Sequence, residues 1–472
     1  MLKTASLSPI ISVLHLKCKA PKFSTLVRNN HTQCTQTVRQ NAIKNPTSLL
    51  QLPPTSAYIH LPFCRKRCHY CDFPVVALGS SLNQSQDDDP RIVDYIELIC
   101  REIGATRLDF DQCPPLETVF FGGGTPSLVP PRLVSLVLDT LESKFGVCLD
   151  AEISMEMDPG TFTADKLRDL MGFGVNRVSL GVQAFQEELL KACGRAHGLK
   201  EVYEAIEIVE SCRVENWSMD LISSLPHQTL SMWSESLRLT VDSKPTHVSV
   251  YDLQVEKDTK FGLLYAPGEF PLPSESQSAE FYKMASETLT SAGYEHYEIS
   301  SYSKSGFKCQ HNLTYWKNRS FYGFGLGSTS YLNGLRFSRP RMMREYKTFV
   351  KNLENGLAKH QQQSGEFDPK DRAMDVVMLS LRTARGLHIK TFVEDFGASL
   401  ALSLCKAYKP YVESGHVLCL DKERKVIPTS EVSSSVAEDQ LDEKVAFIRL
   451  SDPEGFLLSN ELISVAFGLI AP

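Results

Sequence analysis

HLPFCRKRCHYCDF, residues 60–73, places three cysteines within eight positions, as Cys64-x3-Cys68-x2-Cys71, with His69 and Tyr70 between the last two. Three sulfurs is an odd complement, because a structural zinc is normally closed by four ligands and a disulfide takes two. A 4Fe–4S cube has four irons, each needing one external donor, and thiolate is the usual one. One short loop with this spacing wraps three corners and leaves the fourth iron open to a group that is not protein. Two other readings stay open at this point. Zinc would recruit His60 or His69 into a Cys3His site, although such sites usually come as two separated ligand pairs. A redox CxxC at Cys68 and Cys71 would leave Cys64 without a task. The other ten of the 13 cysteines are scattered singly, the pattern of small buried residues or free thiols in a reduced chain.

The loop sits behind the first strand of a periodic chain. AYIHL (57–61), ETVFF (117–121), AEISME (151–156), NRVSLGV (176–182), NWSMDLI (216–222) and THVSVYD (246–252) read as strands. Most are separated by stretches of helical spacing, such as RIVDYIELICREIGA and PRLVSLVLDTLESKF. Six strands alternating with helices predict an α/β fold with a parallel sheet and functional loops at the strand C-termini. The repeats are too few for a closed eightfold barrel. A partial (β/α)6 barrel or an open doubly wound sheet fits, spanning 56–252. After it come an aromatic and glycine-rich middle segment, 253–358, a linker HQQQSGE (360–366), and a smaller, mainly helical C-terminal domain, 367–472. SSLNQSQDDDP (80–90) and TSEVSSSVAEDQLDE (429–443) read as polar surface loops.

Composition is that of an ordinary globular chain, 42% hydrophobic and 22% charged, with a formal net charge of −6. Nothing in it suggests a basic nucleic-acid surface, and no apolar run reaches membrane-spanning length, so neither nucleic acid nor integral membrane insertion is expected. The charge is uneven. Residues 1–56 carry seven Lys or Arg, thirteen Ser or Thr and no acid, which leaves −13 for the rest of the chain. That composition over residues 1–50 predicts an organellar transit peptide, mitochondrial with a plastid as the alternative, or else a disordered basic tail.

The cysteine loop resembles that of the radical S-adenosylmethionine (SAM) superfamily, and later segments match it position by position: GGGTPS (122–127), MEMDPGT, LGVQAF, CGRAH and MDLI. The resemblance implies that Cys64, Cys68 and Cys71 hold a 4Fe–4S cluster whose open iron takes the amino and carboxylate groups of SAM. Electron transfer from the reduced cluster then breaks the cofactor's C–S bond to give a 5′-deoxyadenosyl radical. It also implies that Tyr58, Gly123, Gly124, Thr125, Glu156, Gln183, Arg195 and Asp220 contact SAM, with Arg195 suited to the carboxylate. His60 and His69 are left out of the metal shell.

Within the superfamily, YIHLPFC, GGGTPS, GVNRVSLGVQAF and YEISSY resemble the coproporphyrinogen III dehydrogenase (HemN-like) group over 56–472. The dehydrogenases extend their loop to CxxxCxxCxC; here the extra position is Phe73, as in the heme-chaperone (HemW-like) branch. CQHNLTYWKN (309–318) resembles the HNxxYW motif that this branch links to heme. The resemblance implies heme contacts from His311, Asn312, Tyr315 and Trp316, with His311 the natural iron ligand and the aromatic rings offering apolar faces to the porphyrin. Two departures stand out. Asp158 replaces a common Asn, and GLGSTS (325–330) carries Thr329 where relatives carry a histidine. The expected function is an organellar heme chaperone with heme as cargo and hemoproteins, respiratory ones among them, as clients, and a homodimer as a candidate assembly. No residue is assigned a catalytic role. The alternative is a true radical SAM enzyme of tetrapyrrole metabolism, decarboxylating coproporphyrinogen III.

Overall fold

The six expected strands form, and five helical crossovers join each to the next. In the computed structural model, which describes residues 52–79, 89–107, 113–357, 368–429 and 444–471, they are β1 (Ser56–Leu61), β2 (Leu116–Gly123), β3 (Val147–Met157), β4 (Arg177–Gln183), β5 (Asn216–Ser223) and β6 (His247–Asp252). They pair in parallel and in chain order. All six residues of β1 are buried, as a central parallel strand covered on both faces requires. The crossovers are α1 (Pro90–Ala105), α2 (Pro131–Phe145), α3 (Ala164–Gly172), α4 (Leu199–Ser211) and α5 (Leu230–Asp242). Their starts follow local chemistry. Asp89 accepts from the Arg91 N–H with proline at the first helical position, and the Thr163 and Thr229 hydroxyls cap α3 and α5.

The sheet stays open, as a partial barrel must. Three further strands come from the middle segment: β7 (Glu295–Glu298), β8 (Ser301–Ser303) and β9 (Tyr322–Phe324). The spatial order is β9-β1-β2-β3-β4-β5-β6-β8-β7, with β9 parallel to β1 at one edge and β8 and β7 antiparallel at the other. Runs of three or four residues are too short to show a period-2 pattern, so the sequence alone does not announce these strands. The middle segment also supplies α6 (Glu275–Ser291), α7 (Gln310–Trp316) and α8 (Met343–Glu354).

One apolar core runs from Ala57 to Val350, so the middle segment packs into the same body as the six βα units. A buried ion pair locks it there: Glu102 of α1 accepts from Arg339 Nε at 2.8 Å and from the Tyr346 hydroxyl at 2.8 Å. Removing one partner of such a pair strands the other charge and costs about 3–5 kcal/mol. A second core joins Trp316 to residues 373–470. It is built by α9 (Pro369–Leu381), α10 (Ala398–Glu413) and α11 (Ser459–Ile470). A small antiparallel sheet of Leu387–His388, Phe447–Leu450 and Val417–Leu420 packs with these helices. The transit segment 1–50, the linker 360–366 and nearly all of the loops 80–90 and 429–443 lie outside the described residues. Among the described residues no helix is long and apolar enough to cross a membrane.

Candidate functional site

The C-terminal ends of the parallel strands open onto one cleft of about 340 Å³. Cys64, Cys68 and Cys71 line it together with Tyr58, Gly123, Gly124, Thr125, Glu156, Gln183, Arg195 and Asp220. All eleven residues that the resemblance singled out for cluster and cofactor therefore meet in one place. The loop is brought there by a short parallel pairing of Phe63–Cys64 with Val76–Ala77 and by backbone bonds across the cleft wall, His69 N–H to the Cys193 carbonyl among them.

His69 is occupied on both sides. Its Nδ1 lies 2.9 Å from the Ala192 carbonyl, which can only accept, so Nδ1 carries the proton and Nε2 accepts from Lys260 Nζ at 3.1 Å. His60 is fully buried, with Nε2 turned to the Pro74 carbonyl. Both ring nitrogens of His69 are engaged and His60 Nε2 faces a carbonyl, so neither histidine completes a Cys3His set. The donor set fits a cluster instead. Burial, and then the charge of Cys68, push the Cys71 thiol up to about 11; Cys64 is raised further, also chiefly by burial. Thiolates at Cys64 and Cys71 would need an electropositive group bound to them to stay ionised in this wall. Donors are already aimed at the sulfurs, with the Thr125 hydroxyl 3.6 Å from Cys64 Sγ and Arg195 Nη1 3.4 Å from Cys68 Sγ.

The triple glycine serves close approach. A Cβ on Gly124 would stand 2.6 Å from the Pro62 carbonyl carbon and 2.7 Å from the Leu61 oxygen, so only glycine lets the end of β2 lie against the root of the cysteine loop. Gly123 N–H donates to Glu156 Oε2 at 2.5 Å. Burial, helped by the charges of Asp220 and Asp158, pushes Glu156 up to about 8. Asp220 accepts from the Ser179 and Ser218 hydroxyls at 2.8 and 3.2 Å and is also raised by burial. Gln183 ends β4 at φ 69°, beside a register shift. A non-glycine residue in this left-handed region marks a strained strand end, of the kind that collects at ligand sites. The floor thus presents two carboxyl groups and an amide to hydroxyl or amine groups.

Arg195 is already engaged within the protein. It is ion-paired with Asp158 and also donates to the Gly181 carbonyl at 3.1 Å and the Tyr70 hydroxyl at 3.0 Å. Burial alone would raise Asp158, but the charges of Arg195 and His197 hold it below the usual carboxylate range. The guanidinium therefore reaches the cleft already balanced by an anion, not as a free partner for a carboxylate. Asp158 and Tyr70 were missed as site residues. The available signal was the spacing of Glu156 and Asp158 at the end of β3, since alternate strand residues share a face.

The second motif behaves differently. His311 is fully buried outside the cleft; its Nδ1 is 2.7 Å from the Thr118 hydroxyl and its Nε2 2.6 Å from the Tyr315 hydroxyl. Its ring packs against Phe120 and Tyr58, one layer behind the cleft wall, and burial pushes its pKa down to about 3. In this conformation both ring nitrogens are engaged and the ring is fully buried, so an iron ligated by His311 would need these bonds to open. Asn312 is half-buried. Trp316 lies elsewhere, lining a separate groove with Leu313, Lys317 and Arg385. Thr329, on the hairpin Thr329–Leu332/Leu335–Ser338, spends its hydroxyl on Ser338 at 2.8 Å.

Comparison with known proteins places this geometry. Residues 58–240 match the family model of the radical SAM superfamily. The chain is 38% identical to a protein of Synechocystis named heme chaperone HemW, over 89% of this chain and 98% of that protein. It is 30% identical to a Danio rerio protein named radical S-adenosyl methionine domain-containing protein 1, mitochondrial, over 58% of this chain and 59% of that one. Coproporphyrinogen III oxidase (HemN) from Escherichia coli, a radical SAM enzyme of solved structure, superposes with a TM-score of 0.68 at 20% identity, covering 89% of this chain and 92% of that one. At that identity the likeness concerns the fold.

Proposed function

The chain belongs to the HemW family within the HemN-like branch of the radical SAM superfamily, and from that premise we propose that it is an organellar heme chaperone. It would bind heme and pass it to hemoproteins, respiratory ones among its clients. The observation that carries this reading is the near full-length similarity to a named heme chaperone, joined to Phe73 in the cleft wall where the dehydrogenase branch carries a fourth cysteine. Superfamily membership implies a 4Fe–4S cluster and SAM. Cys64, Cys68 and Cys71 would hold the cluster, which supplies one-electron reduction of SAM when bound. The floor residues Glu156, Gln183 and Asp220 would orient the cofactor, and Arg195 with Asp158 would position the Cys68 side of the loop.

Similarity to a mitochondrial protein supports an organellar location, and the acid-free N-terminus is consistent with it. A mitochondrion is proposed; the higher identity and wider coverage of the cyanobacterial relative favour a plastid as the second reading. Expressing residues 1–56 fused to a fluorescent protein in plant cells separates the two.

The direct test of function is anaerobic incubation of the cluster-loaded protein with coproporphyrinogen III, reductant and SAM, alongside heme titration. Heme binding without protoporphyrinogen formation is the expected result. Protoporphyrinogen production would overturn it in favour of the dehydrogenase reading. That second reading is kept alive by one observation: every cofactor-contacting residue of the resemblance is present in the cleft.

A further inference from the structure

On the outer side of α7 a groove of about 420 Å³ runs between the first body and the C-terminal helices, separate from the cysteine cleft. Its volume lies in the range of small-molecule sites, about 300–1,000 Å³. Trp316, 9% exposed, and Leu313 give it an apolar wall, and basic side chains stand on its rim: Lys308, Lys317, Arg385 and Arg424. Lys308 is already paired with Glu295 at 2.5 Å. Arg424 donates to the Ala384 and Arg385 carbonyls and lies over the Phe447 ring at 4.3 Å, but has no carboxylate partner among the described residues; nor do Lys317 and Arg385. These cations burden one another. Burial, then the charges of Arg319 and Arg385, pull Lys317 down, and burial with Arg319 and Arg424 does the same to Arg385. Nearby Glu117 offsets only part of this at Lys317. A cationic rim that repels itself around an indole wall lacks an anion with a flat apolar body.

We propose that this groove grips the carboxylate edge of a dianionic tetrapyrrole, with Trp316 against the ring and Lys317, Arg385 and Arg424 on its two propionates. The inference rests on the heme-chaperone reading and moves the cargo site from His311 to the opposite side of α7. It also makes the C-terminal helices part of that site, because Arg385 and Arg424 belong to their unit.

The test uses the full chain with its cluster reconstituted, titrated with ferric heme and separately with heme dimethyl ester, whose propionates carry no charge. Lys317→Glu, an exposed change at the end of α7, and the double variant Arg385→Gln/Arg424→Gln are compared with the parent at low and moderate salt. Heme affinity is expected to fall about ten-fold or more in each variant, with a shallower salt dependence, while affinity for the ester changes little. Equal loss for acid and ester, or unchanged heme affinity in both variants, overturns the groove and leaves the chaperone reading standing. If the parent itself binds no heme, the chaperone reading falls and the groove with it. Unchanged iron and sulfide content in the variants shows that they remain folded.

Discussion

Two motifs of this chain look alike on paper and fold to opposite effect. The cysteine loop and its partner segments are spread over more than 150 residues, yet their side chains converge on one cleft. The HNLTYW segment is compact in sequence, yet α7 sends its side chains to different places. Parallel strands explain the first case, because every strand C-terminus delivers its loop to the same edge of the sheet. Helical rotation explains the second. His311 and Tyr315 are four apart, so they share a face and bond to each other, while Trp316 lies five on from His311 and points well around the helix. Convergence on the cleft follows from the parallel topology, not from closeness in sequence.

The sharpest way to break this contrast is to remove one region's chemistry and watch the other. Cys64→Ala, Cys68→Ala or Cys71→Ala should abolish the iron–sulfur absorption of the anaerobically reconstituted protein, an effect that saturates with any one of the three. Heme affinity should be nearly unchanged, since the groove shares no residue with the cleft. A cluster-free variant that also loses heme, while keeping its circular dichroism and melting temperature, would mean that the two regions form a single site.

Next in size is His311→Ala. The side chain joins Thr118 of β2 to Tyr315 within the core, and its loss leaves two buried hydroxyls short of a partner. We expect a destabilisation of about 2–4 kcal/mol by denaturant unfolding, with heme affinity falling less than in the groove variants. A heme-binding loss at unchanged stability would restore His311 as the iron ligand.

The cleft and the helix should also part company with pH. His311 titrates near 3 when folded and near 6.5 when unfolded, so its contribution to stability is present above pH 6.5 and fades as pH falls toward 3. Glu156 runs the other way. Its folded value of about 8 lies above the ordinary 4.5, so the folded state prefers the proton, and stability is lost as pH rises from 4.5 through 8. In the protein without SAM, Glu156→Gln should flatten the alkaline limb of a stability profile by about 2–4 kcal/mol and leave the acid limb alone. If the alkaline limb persists, Glu156 is not the group that carries it.

How much of this was legible beforehand follows the same division. The six strands could be read because parallel sheets repeat a long pattern, and the three cysteines because their spacing is chemically specific; the other eight cleft residues followed only from the family resemblance. The β7, β8 and β9 strands were too short to show periodicity, and their contribution to the sheet depends on contacts far apart in the chain. The placement of His311 was open to helical arithmetic, since i and i+4 side chains meet, but burial behind Phe120 was not. The groove could not be read at all. Its rim combines Lys317 with Arg385 and Arg424, drawn from separate elements that only tertiary packing brings together.

The smallest expected effect tests the one charge in the cleft that departs from the family pattern. Asp158 balances Arg195, and Arg195 stands 3.4 Å from Cys68 Sγ. With Asn in that position the guanidinium would face the cysteine loop with its charge uncompensated. A positive charge beside a cluster favours its reduced, more negative state. Asp158→Asn should therefore raise the cluster's midpoint potential by on the order of tens of millivolts, as read by redox titration of the electron paramagnetic resonance signal. Cluster content should be unchanged, since no thiol is touched. The same change would leave Arg195 free for an added carboxylate, so SAM affinity should rise modestly in the variant. A potential that does not move, or that drops, would mean that Asp158 and Arg195 serve only to brace the loop, and that the departure from Asn is electrically silent.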